Sequence, residues 1–286
     1  MKRVKIKESI KWILLVSGIF VCLLLTGCKE KSADYYNNQG KANNAKGQYD
    51  QAISDFTKSI EIDPKFVEAY NNRGETNIVK GQYNRAISDF TKSIEIDPEF
   101  AVAYKNRGIA YDAKGEHDLA ISDYTKAIEI DPEFALAYIN RGFAYGQKGE
   151  HDQAISDFNK AIEINPKYAE AYSSRGITYE QKGQLDQAIS DYTKAIEIDS
   201  KFSHAYYSRA VAYEQKGQLD RAISDYTKAI ETDPKFAVAY YMRAFAYYHK
   251  RDYDKAWEDV QKAQSLGYQV PPELINDISK ALGIEK

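Results

Sequence analysis

Cysteine is nearly absent from this chain: Cys22 and Cys28 are the only two in 286 residues. A disulfide framework therefore does not hold the fold, and the paired-cysteine spacings of zinc ribbons and redox motifs are missing. Histidine is almost as scarce, at four residues. There is no glycine-rich phosphate loop and no nucleophile elbow. Basic excess is lacking too. The formal net charge is −3, and no cluster of Lys and Arg is interleaved with aromatics, which argues against a nucleic-acid partner. Proline is rare, yet five of the seven fall on a fixed interval, and that interval organises the rest of the sequence.

Before the interval begins, the chain carries Lys2, Arg3, Lys5, Lys7 and Lys11 against Glu8, then runs from Trp12 to Leu25 with only Ser17 and Gly18 as interruptions. These 14 residues fall short of the roughly 20 that cross a hydrocarbon core, and small residues follow at once. A cleaved export signal is expected over a permanent span. The residues Leu25-Thr26-Gly27-Cys28 resemble the bacterial lipoprotein signal, in which the cysteine receives a diacylglycerol before cleavage. An uncleaved anchor, or an ordinary buried thiol at Cys28, are the alternatives.

The resemblance implies a signal peptide over residues 1–27, a lipidated Cys28 and a tether over residues 28–32. The residues between Cys28 and Ala33 reach at most about 14 Å when extended, which would hold the body close to a bilayer. Several acyl chains attach a protein stably where one chain is marginal. Removing residues 1–27 takes away five bases and one acid, so the net charge falls from −3 to −7. That is poorly suited to nucleic acid or an anionic membrane face. Lys29 stands where an aspartate would be associated with retention at an inner membrane, which favours the inner leaflet of an outer membrane if the cell has one.

From Ala33 the chain repeats every 34 residues. Pro64, Pro98, Pro132, Pro166 and Pro234 fall on the period, with Ser200 in the vacant slot, and so do Ala52, Ala86, Ala120, Ala154, Ala188, Ala222 and Ala256. The third unit reads AVAYKNRGIAYDAKGEHDLAISDYTKAIEIDPEF. Ala103, Tyr104, Gly108 and Tyr111 recur at helical spacing in its first half, and Ala120, Ile121, Tyr124, Ala127 and Ile128 in its second. Gly115 suits the left-handed turn between them, and Pro132 ends the second helix. Each unit is thus predicted to be a helical hairpin. One hairpin cannot bury its apolar face alone, so stacked hairpins must share a core.

The pattern Tyr104, Gly108, Tyr111, Ala120, Tyr124, Ala127 and Pro132 resembles the tetratricopeptide repeat. The resemblance implies an all-α fold: a right-handed superhelical α-solenoid of seven hairpins with an inner face lined by first helices. The units are expected at 33–66, 67–100, 101–134, 135–168, 169–202, 203–236 and 237–268. A C-terminal capping helix, opened by Pro271-Pro272, is expected within 269–286. Departures sit at the ends. Asn43 and Asn77 replace the later tyrosines, Gln39 replaces an arginine, and Arg251 and Val260 replace the turn glycine and the aromatic of the last unit.

Chemistry is hard to find against this packing logic. His117 and His151 lie one period apart, each followed by an acid, but the equivalent slots hold Tyr49, Tyr83, Leu185, Leu219 and Tyr253, so packing is favoured over metal ligation. No catalytic residues, cofactor or metal site are expected. Arg73, Arg107, Arg141, Arg175, Arg209 and Arg243 recur with Asp55, Asp89, Asp123, Asp157, Asp191, Asp225 and Asp259. Pairing of these charges is favoured over an anion-binding stripe.

Two series point instead to a partner. Asn38, Asn72, Asn106 and Asn140 each sit two residues after the repeat tyrosine, and a carboxamide offers the donor and acceptor that an extended peptide needs. Asparagine ladders of this kind hold peptides in the family it resembles; the alternative is a tolerated polar surface residue. Phe143 and Ile177, then Tyr207, Tyr241, Phe245 and Tyr248, add apolar surface along the first helices. Some of these rings have a second explanation, as filling against the capping helix. The expectation is a membrane-tethered, non-enzymatic scaffold holding a protein or peptide, in envelope assembly or maintenance. A self-associating solenoid and an enzyme or enzyme regulator are the alternatives.

Overall fold

Residues 31–284 are described by a computed structural model, and the segment carrying Cys28 lies outside them. Among the described residues there are 15 helices and no strand. None of these helices is long and apolar enough to cross a membrane. The chain divides into two compact units, the first ending at Pro98 and the second starting at Glu99.

The first unit holds two hairpins, α1 (Ala33–Ala45) with α2 (Tyr49–Ile62) and α3 (Val67–Val79) with α4 (Tyr83–Ile96). The second holds five: α5 (Ala101–Asp112) with α6 (His117–Ile130), α7 (Ala135–Gln147) with α8 (His151–Ile164), α9 (Ala169–Gln181) with α10 (Leu185–Ile198), α11 (Ser203–Gln215) with α12 (Leu219–Thr232), and α13 (Ala237–His249) with α14 (Tyr253–Ser265). It ends in α15 (Pro272–Leu282), which starts on a proline as the sequence predicts.

The turn inside each hairpin needs a left-handed residue. Gly115 supplies one at φ +77° with nothing crowding the position of a Cβ. In the last hairpin Arg251 adopts the same conformation at φ 61°, the single non-glycine to do so among the described residues. A side chain there costs about 1 kcal/mol. Arg251→Gly is therefore expected to stabilise the second unit by about that much, read as a higher urea midpoint.

Packing inside the hairpins follows from small residues. Ala52, Ala86, Ala120, Ala154, Ala188, Ala222 and Ala256 are all fully buried. Gly108 lies under the Tyr124 ring so closely that no Cβ fits without displacement. Ser59 and Ser93 take the slot held by buried alanines in the second unit, and their hydroxyls donate to the carbonyls of Ala33 and Val67. Between hairpins the turn is fixed by Asp or Asn side chains: Asp131 Oδ1 accepts from the Glu133 amide at 3.0 Å, an arrangement that recurs at Asp63, Asn165, Asp199 and Asp233.

The recurring arginines pair with the recurring aspartates. Arg141 donates from Nε and Nη2 to the two carboxylate oxygens of Asp157 at 2.8 Å each, and from Nη1 to Thr125 on the preceding hairpin. Arg73, Arg209 and Arg243 repeat both contacts. Each guanidinium also lies near the ring of the repeat tyrosine three residues before it. One side chain thereby joins three helices, which is why the slot is arginine and not lysine. Where Gln39 stands instead, Asn43 Nδ2 donates to Asp55 at 2.7 Å and Gln51 adds a second bond.

In the first unit α1 touches α3, and in the second α5 touches α7, α7 touches α9 and α9 touches α11. First helices thus line one face of each stack. At the C-terminal end α15 buries Leu274 and Ile278 against Val260 and Ala263, closing the core that a further hairpin would otherwise cover.

Candidate protein-interaction face

In the second unit the first-helix face is apolar along α7, whereas on α9 it carries one apolar residue, Ile177, with Glu170 and Ser173 in the slots of Leu136 and Ile139. Leu136, Ile139 and Phe143 share one side of α7 at spacings of three and four. Ile139 is buried, but Leu136 and Phe143 are 40% and 44% exposed. Ile177 holds the slot of Phe143 one period on and is 41% exposed. Because α7 and α9 touch, Phe143 and Ile177 hold the same slot on neighbouring helices of one face. Phe143 meets the buried Phe158 in a T-shaped contact with ring centroids 5.6 Å apart, so one part of the ring is packed while the rest stays exposed.

The later aromatics are placed differently. Tyr207, Tyr241, Phe245 and Tyr248 are half-buried and pack on the terminal core. Tyr241 stacks on Tyr268 at 4.9 Å, Tyr248 donates to Asp277 of α15 at 3.2 Å, and Tyr207 lies 5.9 Å from the buried Tyr226. They combine a packing role with partial exposure.

The four asparagines are not equivalent. Asn38 is exposed, whereas Asn72 donates to Asn37 on the neighbouring first helix at 2.9 Å. In the second unit Asn106 is only 3% exposed, and Asn140 is half-buried with no hydrogen-bond partner among the described residues. Asn38 and Asn140 therefore have amides available on their respective units.

The histidines do not converge. His117 Nδ1 lies 2.9 Å from Asp112 Oδ1, while His151 Nδ1 is buried without a partner because Gly146 stands in the slot of Asp112. Among the described residues no group of three or more metal-ligating side chains occurs.

Sequence reasoning missed a set of acids on this face. Tyr124, Tyr192 and Tyr226 are buried, and their hydroxyls donate to Asp112, Glu180 and Glu214 at 2.9, 2.9 and 2.7 Å. Where the buried ring is Phe56, Phe90 or Phe158, the slot of the acid holds Asn44, Ile78 or Gly146. A tyrosine twelve residues after an acid was therefore a readable signal, since a buried hydroxyl needs an acceptor. Burial raises the Glu214 carboxyl above its ordinary range, with the Tyr226 hydroxyl and His249 pulling it part of the way back.

A raised carboxyl in the folded state favours the protonated form. Its contribution to stability is present below the unfolded value and is lost as pH rises through the folded one. At neutral pH the Glu214 charge is thus a net cost. Glu214→Gln keeps an acceptor for Tyr226 and removes that cost, so its melting temperature is expected to exceed the wild-type value at pH 7. The difference should close below about pH 4, as thermal melts at the two pH values would show.

The hairpin stack agrees with comparisons to known proteins. The tetratricopeptide repeat model matches residues 67–100, 101–134, 135–168, 169–202 and 203–236, and related repeat models match 40–77 and 225–258. No curated protein sequence matches the chain. Among solved structures, MamA is 36% identical with a TM-score of 0.52, over 57% of this chain and 95% of that one. YrrB, described as a TPR protein with an unusual peptide-binding site, is 26% identical with a TM-score of 0.50, over 64% of this chain and 95% of that one. A tetratricopeptide repeat protein from Parabacteroides merdae ATCC 43184, at 23% identity and a TM-score of 0.66, shares the fold over 88% of this chain and 98% of its own. The repeat matches span more than half of the residues, and the chain belongs to the tetratricopeptide repeat family.

Proposed function

We propose that this protein is a membrane-tethered, non-catalytic scaffold that holds a peptide or protein partner on its first-helix face. The observation that carries this reading is the exposure of Leu136, Phe143 and Ile177 on two adjoining helices. Apolar side chains of that size, in register on a rigid face, gain burial when a partner covers them, by about 25 cal/mol per Å² of apolar surface. Asn140, one turn from Phe143 on the same helix, offers an unsatisfied amide for a partner backbone. The peptide-binding site named for YrrB supports the reading by family likeness.

The tether rests on the sequence. Cys28, after Leu25-Thr26-Gly27, would carry the lipid, and the body would stand on the extracytoplasmic side of a bacterial membrane, serving envelope assembly or maintenance. Metabolic labelling with an alkyne fatty acid tests this part: incorporation is expected in the wild type and lost in Cys28→Ser, and a wild-type chain that takes up no label removes the anchor.

Partner binding is tested in the native host with a photo-crosslinking residue at position 143. Adduct formation is expected there and not at Leu119, which is at least as exposed on a second helix. Phe143→Asp together with Ile177→Asp should abolish partner recovery while leaving the helical spectrum unchanged. Recovery unaffected by that pair would remove the groove reading.

A further inference from the structure

The acids beside these apolar side chains are out of step with the rest of the protein. In the second unit the buried aspartates of the second helices are each held by an arginine, as in Asp157 with Arg141 and Asp225 with Arg209. Glu180 and Glu214 are half-buried as well, yet the groups that bond them are neutral. Glu180 accepts from the Tyr192 hydroxyl at 2.9 Å and from the Gln215 amide at 2.7 Å, and Glu214 accepts from the Tyr226 hydroxyl at 2.7 Å. Among the described residues neither carboxylate is paired with a lysine or arginine, and His249 acts on Glu214 only from a distance.

These two acids are neighbours on adjoining helices. Glu180 lies three residues after Ile177 on α9, hence on the same side of that helix. Glu214 sits one period later on α11, which touches α9, and Gln215 beside it reaches across to Glu180. Tyr207 belongs to the same neighbourhood. Burial, followed by Tyr268, Glu214 and Glu180, raises its hydroxyl above the ordinary value. Burial makes the Glu214 charge costly and His249 offsets only part of that, so a cation that arrives with a partner beside the two acids lowers the remaining cost. The tyrosine ring adds an attraction of its own for an ammonium or guanidinium group.

We propose that the first-helix face of the second unit selects a peptide segment in which a Leu-, Ile- or Phe-like side chain is followed closely by Lys or Arg, the apolar group seated on Phe143 and Ile177 and the cation at Glu180 and Glu214. This rests on the groove reading and specifies its occupant. The partner is basic at the contact, which complements the acidic chain around it.

Selection of a phage-displayed random 12-residue library on the full chain, followed by titration of the synthetic consensus peptide, tests it. Enrichment of Lys or Arg within a few residues of a large apolar side chain is expected. Glu180→Gln combined with Glu214→Gln should weaken that peptide at least tenfold and remove most of its salt dependence, while both buried tyrosines keep acceptors and the fold is retained. Phe143→Asp should weaken every selected peptide. Peptides that lose affinity with Phe143→Asp but show no basic enrichment, or bind the double glutamine variant unchanged, would overturn the cation site and leave the groove standing. Failure to select any peptide, or binding indifferent to Phe143→Asp, would overturn both.

Discussion

Arg141→Met is expected to destabilise the second unit by about 3 kcal/mol, among the largest effects available from one exposed-looking charge. Asp157 is buried with its side chain 8% exposed, and both its oxygens are occupied by Arg141 at 2.8 Å. Methionine keeps much of the arginine's length and none of its donors, so the substitution strands a buried carboxylate. It also frees Thr125, cutting the bond that ties α7 to the preceding hairpin. The measurement is the urea midpoint followed by far-UV circular dichroism. A second variant separates lost charge pairing from lost packing. In Arg141→Met with Asp157→Leu the stranded charge is gone, and most of the stability should return. A single variant as stable as wild type would show that Asp157 is hydrated, and the arginines would then be open to a binding role.

Gly108→Val is expected to cost about 2–3 kcal/mol for the opposite reason, by adding atoms where none fit. A Cβ at Gly108 would lie 2.5 Å from Cε1 and 2.8 Å from Cδ1 of Tyr124. The ring has nowhere to go: it is 1% exposed, and its hydroxyl is held by Asp112 at 2.9 Å. Moving it breaks that bond and leaves a buried hydroxyl without its acceptor. The sixth hairpin shows what a methyl group requires, since Ala210 occupies this slot above Tyr226 there, so Gly108→Ala should be the milder change. Thermal melts of the valine variant, with and without Tyr124→Leu to release volume, distinguish overpacking from helix propensity. If Tyr124→Leu restores nothing, the clash is not the cause.

These two effects come from slots that repeat, which explains why so much of the fold was legible. Helix, turn and stop are local properties: an alanine every 34 residues, a glycine at a left-handed turn and a proline beyond the second helix act over a few bonds. The arginine and aspartate series was legible for the same reason, because a charge buried at a fixed slot needs a partner at another. Val260 and Pro271-Pro272 likewise announced that the last hairpin would be covered, and α15 covers it.

The sequence by itself determined the hairpin, its period, the pairing of its charges and the end of the stack. Only the tertiary structure decided which surface residues remain available. Asn106 and Asn140 are one period apart and identical in sequence logic, yet one is buried and the other keeps a free amide. Tyr241 reads as surplus to the core until Tyr268, 27 residues on, is seen stacked against it. Glu180 and Glu214 look like ordinary helix acids, and their lack of a lysine or arginine partner among the described residues emerges only when neighbouring helices are in place. Periodicity fixes what each residue does within its own repeat, whereas exposure and charge balance depend on the side chains that the adjoining repeat brings to the same face.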